Sequence, residues 1–102
     1  MADYTIKISA ESEIDILESY LYYEEKKNGL GARFLEKLDE SFASIKQSPF
    51  SYNIKYKTLR MFLMKVFPFL IFFIVNEELK EIQVIGVLHS KRNPKLINSR
   101  IS

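Results

Sequence analysis

The groups in this chain that are able to do chemistry are few. Its one histidine is His89, and it contains no cysteine. A single imidazole rules out a histidine dyad or an imidazole-rich metal site unless two subunits share it, and the lack of thiols removes disulfides, thiolate zinc sites and cysteine nucleophiles. What remains is cationic. Lys55, Lys57, Lys91 and Arg92 are candidates for a phosphate-binding rim, with the alternative that they keep sheet edges soluble. Arg60 and Lys65 are an odd number of residues apart and would point to opposite faces of a strand that held both. A lone histidine at a strand end is more often a surface or capping residue than a functional one. Tyr20, Tyr22 and Tyr23 have the composition of a base-stacking platform, but Tyr20 and Tyr23 fall on a helical packing stripe, which favours a core role. Gly29 and Gly31 join two helices, whereas a phosphate loop joins a strand to a helix.

The chain has 102 residues, nearly half of them apolar and eight of them Phe. That is enough for one domain with one core and too little for two. The formal net charge of +2 hides an asymmetry: residues 1–40 hold ten acids and five bases, a net of −5, while residues 41–102 sum to +7. A basic half suits a nucleic acid or an acidic protein, or else is an ordinary solvated surface. No secretory signal pattern opens the sequence. The longest apolar run, Val66 to Val75, is about half of what a membrane-spanning helix needs. A soluble, cytoplasmic protein without membrane contact is expected.

The elements that must position these groups follow from periodicity. Tyr4, Ile6 and Ile8 alternate with polar residues, which predicts a strand with one buried face. Ser9 or Ser12 can cap a helix whose first turns carry Glu11, Glu13 and Asp15, where the helix dipole favours acids. On that helix Ile14, Leu17 and Leu21 form one apolar stripe and Ile16, Tyr20 and Tyr23 another, so two neighbours are expected. Asn28-Gly29-Leu30-Gly31 ends it. A second helix runs from about Ala32 to Gln47, with Phe34, Leu35, Leu38, Phe42 and Ile45 as one wide stripe, and Pro49 closes it. Three strands follow, at about 58–66, 69–76 and 81–90, joined by turns at Phe67-Pro68 and Asn76-Glu77-Glu78. Such short connections force antiparallel pairing.

The expected architecture is therefore α+β: a helical hairpin on one face of a mainly antiparallel four-stranded sheet, with the first strand beside the last in parallel. The middle strand is apolar on both faces. Phe69, Ile71, Phe73 and Val75 point one way, and Leu70, Phe72 and Ile74 the other. Two helices cover one face only, so the second must meet the chain's own tail, a twin subunit or another protein.

This element order, with the Gly29-Leu30-Gly31 and Arg33-Phe34 element, the proline after the second helix, the Phe67-Pro68-Phe69 hairpin and the terminal His89 and Arg92, resembles the RelE/ParE superfamily of toxins over nearly the whole chain. The resemblance implies a growth inhibitor made together with a cognate antitoxin that neutralises it, in a hetero-oligomer or beside a homodimer, with no metal or cofactor. It also implies one of two targets: ribosome-bound messenger RNA, which is cut, or DNA gyrase, which is bound.

RelE-like cleavage without a metal requires groups that orient the 2′-hydroxyl, protonate the leaving oxygen and neutralise the phosphate. Aligned on the hairpin, the arginine that those enzymes carry early in the strand after the turn is Leu70 here, and their late tyrosine is Asn98. Arg92 matches the arginine near the end of the last strand. As a nuclease the chain would use Arg60 or Lys65 for phosphate, Arg92 for the transition state and His89 as the acid. The vacant positions tilt the reading towards a ParE-like toxin that traps a protein target, with an inactive toxin-like binding module as a further alternative. Surfaces for target or antitoxin are then sought at Lys55, Lys57, Arg60, Lys65, Leu70, Phe72, His89, Lys91 and Arg92.

Overall fold

The alternating residues near the N-terminus form β1 (Thr5–Ile8) in the computed structural model, which describes residues 3–101. Ser9 caps α1 (Ala10–Lys26): its Oγ accepts the Ser12 N–H at 3.1 Å and donates to Ser12 Oγ at 2.8 Å. Ser12 Oγ in turn donates to the Val84 carbonyl, so the capping serines also tie the helix to the sheet. Gly29, at φ 90°, makes the left-handed turn into α2 (Leu30–Gln47). The Glu24 carboxylate reaches across and accepts the N–H groups of Gly29 and Gly31, each at 3.0 Å, satisfying donors that α2 itself leaves free.

A 3₁₀ turn at Pro49–Ser51 leads into β2 (Ile54–Tyr56), β3 (Leu59–Leu63), β4 (Phe69–Asn76) and β5 (Glu81–His89), and a 3₁₀ tail, Pro94–Arg100, closes the chain. The sheet order is β1-β5-β4-β3-β2. β1 lies parallel to β5 and every other pairing is antiparallel. The expected α+β architecture with parallel first and last strands is thus observed, with five strands in place of four. The extra one, β2, has three residues and folds back on β3 through Lys57, whose φ of 52° is left-handed. No Gly or Asn marks that turn, which is why periodicity and turn chemistry did not announce it.

The helices cover one face of the sheet. Phe34, Leu38 and Ile45 of α2 pack on Phe69, Ile71 and Phe73 of β4 and on Ile82, Val84 and Val87 of β5, all buried. Each such side chain contributes about 1.5–3 kcal/mol. Val84 and Val87 are an odd distance apart yet share this face, because a bulge at Ile85 sets Phe73 opposite Val84 and Phe72 opposite Gly86. The extra residue resets the alternation.

The opposite face carries a smaller cluster of Leu59, Phe72, Leu88 and Ile97. Ile97 belongs to the tail, and the tail is one of the three coverings expected for that face. Ile16 and Tyr23 of α1 pack against the main core, and Tyr20 touches Gly31 of α2. The other expected stripe stays more than half exposed among the described residues: Ile14, Leu17 and Leu21 are 55%, 56% and 52% exposed. A 17-residue helix lying over a sheet edge buries one side only, so a second apolar stripe does not imply a second intramolecular contact. No helix among the described residues is long and apolar enough to cross a membrane.

Candidate functional site

Where α1 passes the end of β5, an open cavity of about 340 Å³ is lined by Tyr22, Tyr23, Phe69, Val87 and Leu88, with Glu18, His89 and Arg92 as polar groups at its walls. β4 and β5 fix the histidine: His89 pairs with Phe69 across the ladder and its ring meets the Phe69 ring edge-on at 5.4 Å. Its Nδ1 accepts the backbone N–H of Lys91 at 3.1 Å. The imidazole is therefore held in one orientation with Nε2 remaining for a partner. Burial raises the pKa of the neighbouring Tyr23 phenol, with Tyr22 adding to the shift.

Three cavities hold five of the nine sequence-derived candidates. His89 and Arg92 share the cavity beside α1. Lys55 and Phe72 lie on the opposite face, in a groove of about 200 Å³ completed by Leu59, Pro94, Lys95 and Asn98. Lys65, beyond the end of β3, lines a third cavity of about 100 Å³ together with Lys37, Glu40 and Ser44 of α2. Leu70 pairs with Leu63 on one side and Leu88 on the other, which leaves hydrocarbon at that position. Lys57 makes the β2–β3 turn, and Lys91 follows β5 with its side chain exposed.

Arg60 has a different occupation. Its Nη1 donates to the carbonyls of Tyr52 at 2.7 Å and Phe50 at 3.3 Å, and its guanidinium lies 5.1 Å from the centre of the Phe50 ring. It clamps the segment between α2 and β2. Arg60 pairs with Phe73 and His89 with Phe69, four residues along β4 and two strand spacings across, so their Cα atoms stand roughly 16 Å apart. Among the described residues no group of three or more His, Cys, Asp or Glu side chains could hold a metal ion.

Residues 4–94 match the family model described as the ParE toxin of type II toxin-antitoxin systems, parDE. The chain belongs to the ParE toxin family. Among solved structures this ParE-family toxin is similar to a chain of the chromosomal ParDE toxin–antitoxin system from P. aeruginosa. The TM-score is 0.77 at 16% identity, covering 89% of this chain and 100% of that one. It is also similar to a chain of the RelBE2 toxin–antitoxin complex from Mycobacterium tuberculosis, with a TM-score of 0.62 at 13% identity, covering 85% and 98%. At these identities the likeness is one of fold. No curated protein matches the chain.

Two residues important to the toxin's architecture were missed in its sequence. Asp15, read above as a helix-dipole acid, is buried. It accepts Arg100 Nη1 at 2.6 Å, Arg100 Nη2 at 3.2 Å and the Val87 N–H at 3.0 Å. β1 pairs with β5 only as far as Val84, so Val87 sits on a stretch of edge without a strand neighbour and gives its N–H to the carboxylate. Arg100 reaches Asp15 past Gly86, where a Cβ would lie 3.1 Å from the guanidinium and collide with the Ile97 side chain. The hydrogen bond to Asp15 raises the Arg100 pKa above its ordinary value. The signal in the sequence was weak: an acid on a helix and a base in the tail, 85 residues apart.

Proposed function

We propose that this ParE-family toxin arrests growth by seizing a cellular target without bond chemistry, that DNA gyrase is the target to test first, and that a cognate antitoxin neutralises it. The observation that carries the non-catalytic reading is the dispersal of the cations a nuclease would need. Arg60 is engaged by two backbone carbonyls, Lys65 lines a cavity beside α2, and His89 and Arg92 line a separate one. Leu70 stands among leucines where RelE-like enzymes carry an arginine, and a hydrocarbon side chain supplies no charge to a pentavalent phosphate. The antitoxin partner is supported by the fold likeness to chains taken from toxin–antitoxin systems.

Ribosome-dependent cleavage is the rival, and it rests on one feature: His89, Arg92 and Glu18 line the same cavity, which brings an imidazole, a guanidinium and a carboxylate within reach of one ligand. Brief induction of the free chain in a permissive bacterial host tests both readings. Growth arrest with full-length transcripts in primer extension is the expected result. New ends within codons would favour the nuclease, and unimpaired growth would contradict a toxin of either kind.

A further inference from the structure

The outward side of α1 has the pattern of a helix-pairing seam. Ile14, Leu17 and Leu21 are spaced three and four apart and each is more than half exposed. With Ile14 and Leu21 as a positions and Leu17 as d, residues Ser12, Asp15, Ile16, Ser19 and Tyr23 take the b, c and f positions, and these are the residues that face the sheet and core. Tyr20, at g, touches Gly31 of α2, so the seam points away from the sheet with α2 along its g side. Glu11, Glu18 and Glu25 occupy successive e positions and Glu13 a g position, and all four are exposed.

Flanking charges of a single sign decide what the seam accepts. A second copy of the chain would set acid against acid in either a parallel or an antiparallel pairing, which is a repulsive element against self-association. We propose that this seam is the docking surface for a basic amphipathic helix of another protein, with Leu or Ile at its own a and d positions and Lys or Arg at e and g. The inference rests on α1 alone and does not depend on which cellular target the toxin takes.

The test uses the purified full chain and two fluorescently labelled synthetic helical peptides with the same Leu/Ile seam, one with Lys at every e and g position and one with Glu there, read by fluorescence anisotropy. Three exposed charge pairs predict that the basic peptide binds about tenfold more tightly than the acidic one, with the preference shrinking at high salt. Leu17→Glu should abolish binding, and the triple substitution E11K/E18K/E25K should reverse the preference. Both change exposed side chains, and circular dichroism checks that the fold is kept. Equal binding of the two peptides, or binding of neither, overturns the proposal. So does a wild-type dimer in sedimentation that Leu17→Glu dissolves, because the seam would then belong to a second copy.

Discussion

Asp15 is the residue on which most of the local architecture converges. It joins α1, the free edge of β5 and the C-terminal tail through three hydrogen bonds, with side-chain exposures of 9% for Asp15 and 17% for Arg100. Asp15→Ala leaves the Arg100 guanidinium with the Ile85 carbonyl at 3.2 Å and strands the Val87 N–H, and breaking such a pair from one side costs about 3–5 kcal/mol. Chemical denaturation should show a loss of that size, and a loss below about 1 kcal/mol would contradict this account. Arg60→Ala removes a clamp of charge-assisted hydrogen bonds, each worth about 1–3 kcal/mol, and should lower stability while leaving growth arrest intact. Loss of toxicity in a folded Arg60→Ala protein would instead return that arginine to the site. Neither role was legible beforehand. An acid in a helix's first turns has a sufficient local explanation, and nothing in the residues around Arg60 shows that two carbonyls will bend towards it.

Helices and strands were legible where one period dominates. The stripes of α2 and β4 correspond to buried faces, and the turns at Phe67-Pro68 and after Asn76 are where residue types place them. Two features escaped for a common reason: each depends on pairing across strands. β2 is held by its register with β3, and the bulge at Ile85 by its register with β4. The helical hairpin depends on a close approach in which a Cβ on Gly31 would stand 2.7 Å from the Tyr20 carbonyl oxygen. Backbone cannot yield as a flexible side chain can, so Gly31→Ala should destabilise by about 1–3 kcal/mol, a drop in midpoint that thermal melts would detect. Tyr23 sits against Phe34, Phe67 and Phe69 at ring distances of 5.6, 4.8 and 6.0 Å. Its pKa is raised above 10.0 in the fold, so the unfolded chain gives up that proton first as pH rises. Its share of stability is therefore complete below pH 10 and is lost above it. Tyr23→Phe should flatten the fall in melting temperature above about pH 10; an unchanged slope would show that Tyr23 contributes none of it.

At the scale of the whole molecule, the tail divides the surface. By covering Leu59, Phe72 and Leu88 with Ile97 it closes much of the second sheet face, and it lies almost entirely beyond the span matched to the family, which ends at residue 94. Deleting residues 95–102 should expose that cluster, so that the shortened protein binds a hydrophobic dye and self-associates; a monomer that stays dark would mean the tail is dispensable. The charge division read from the sequence persists in space, since the acids of α1 and α2 lie over one face of the sheet and the lysines of the second groove on the other. On the proposed reading the toxin binds its target and leaves bonds intact. Supercoiling by purified DNA gyrase and cleavage of ribosome-bound messenger RNA, measured side by side with antitoxin-free protein, test it most directly. Lost supercoiling with intact messenger is the predicted result. Cut messenger with normal supercoiling would contradict it and assign chemistry to His89 and Arg92.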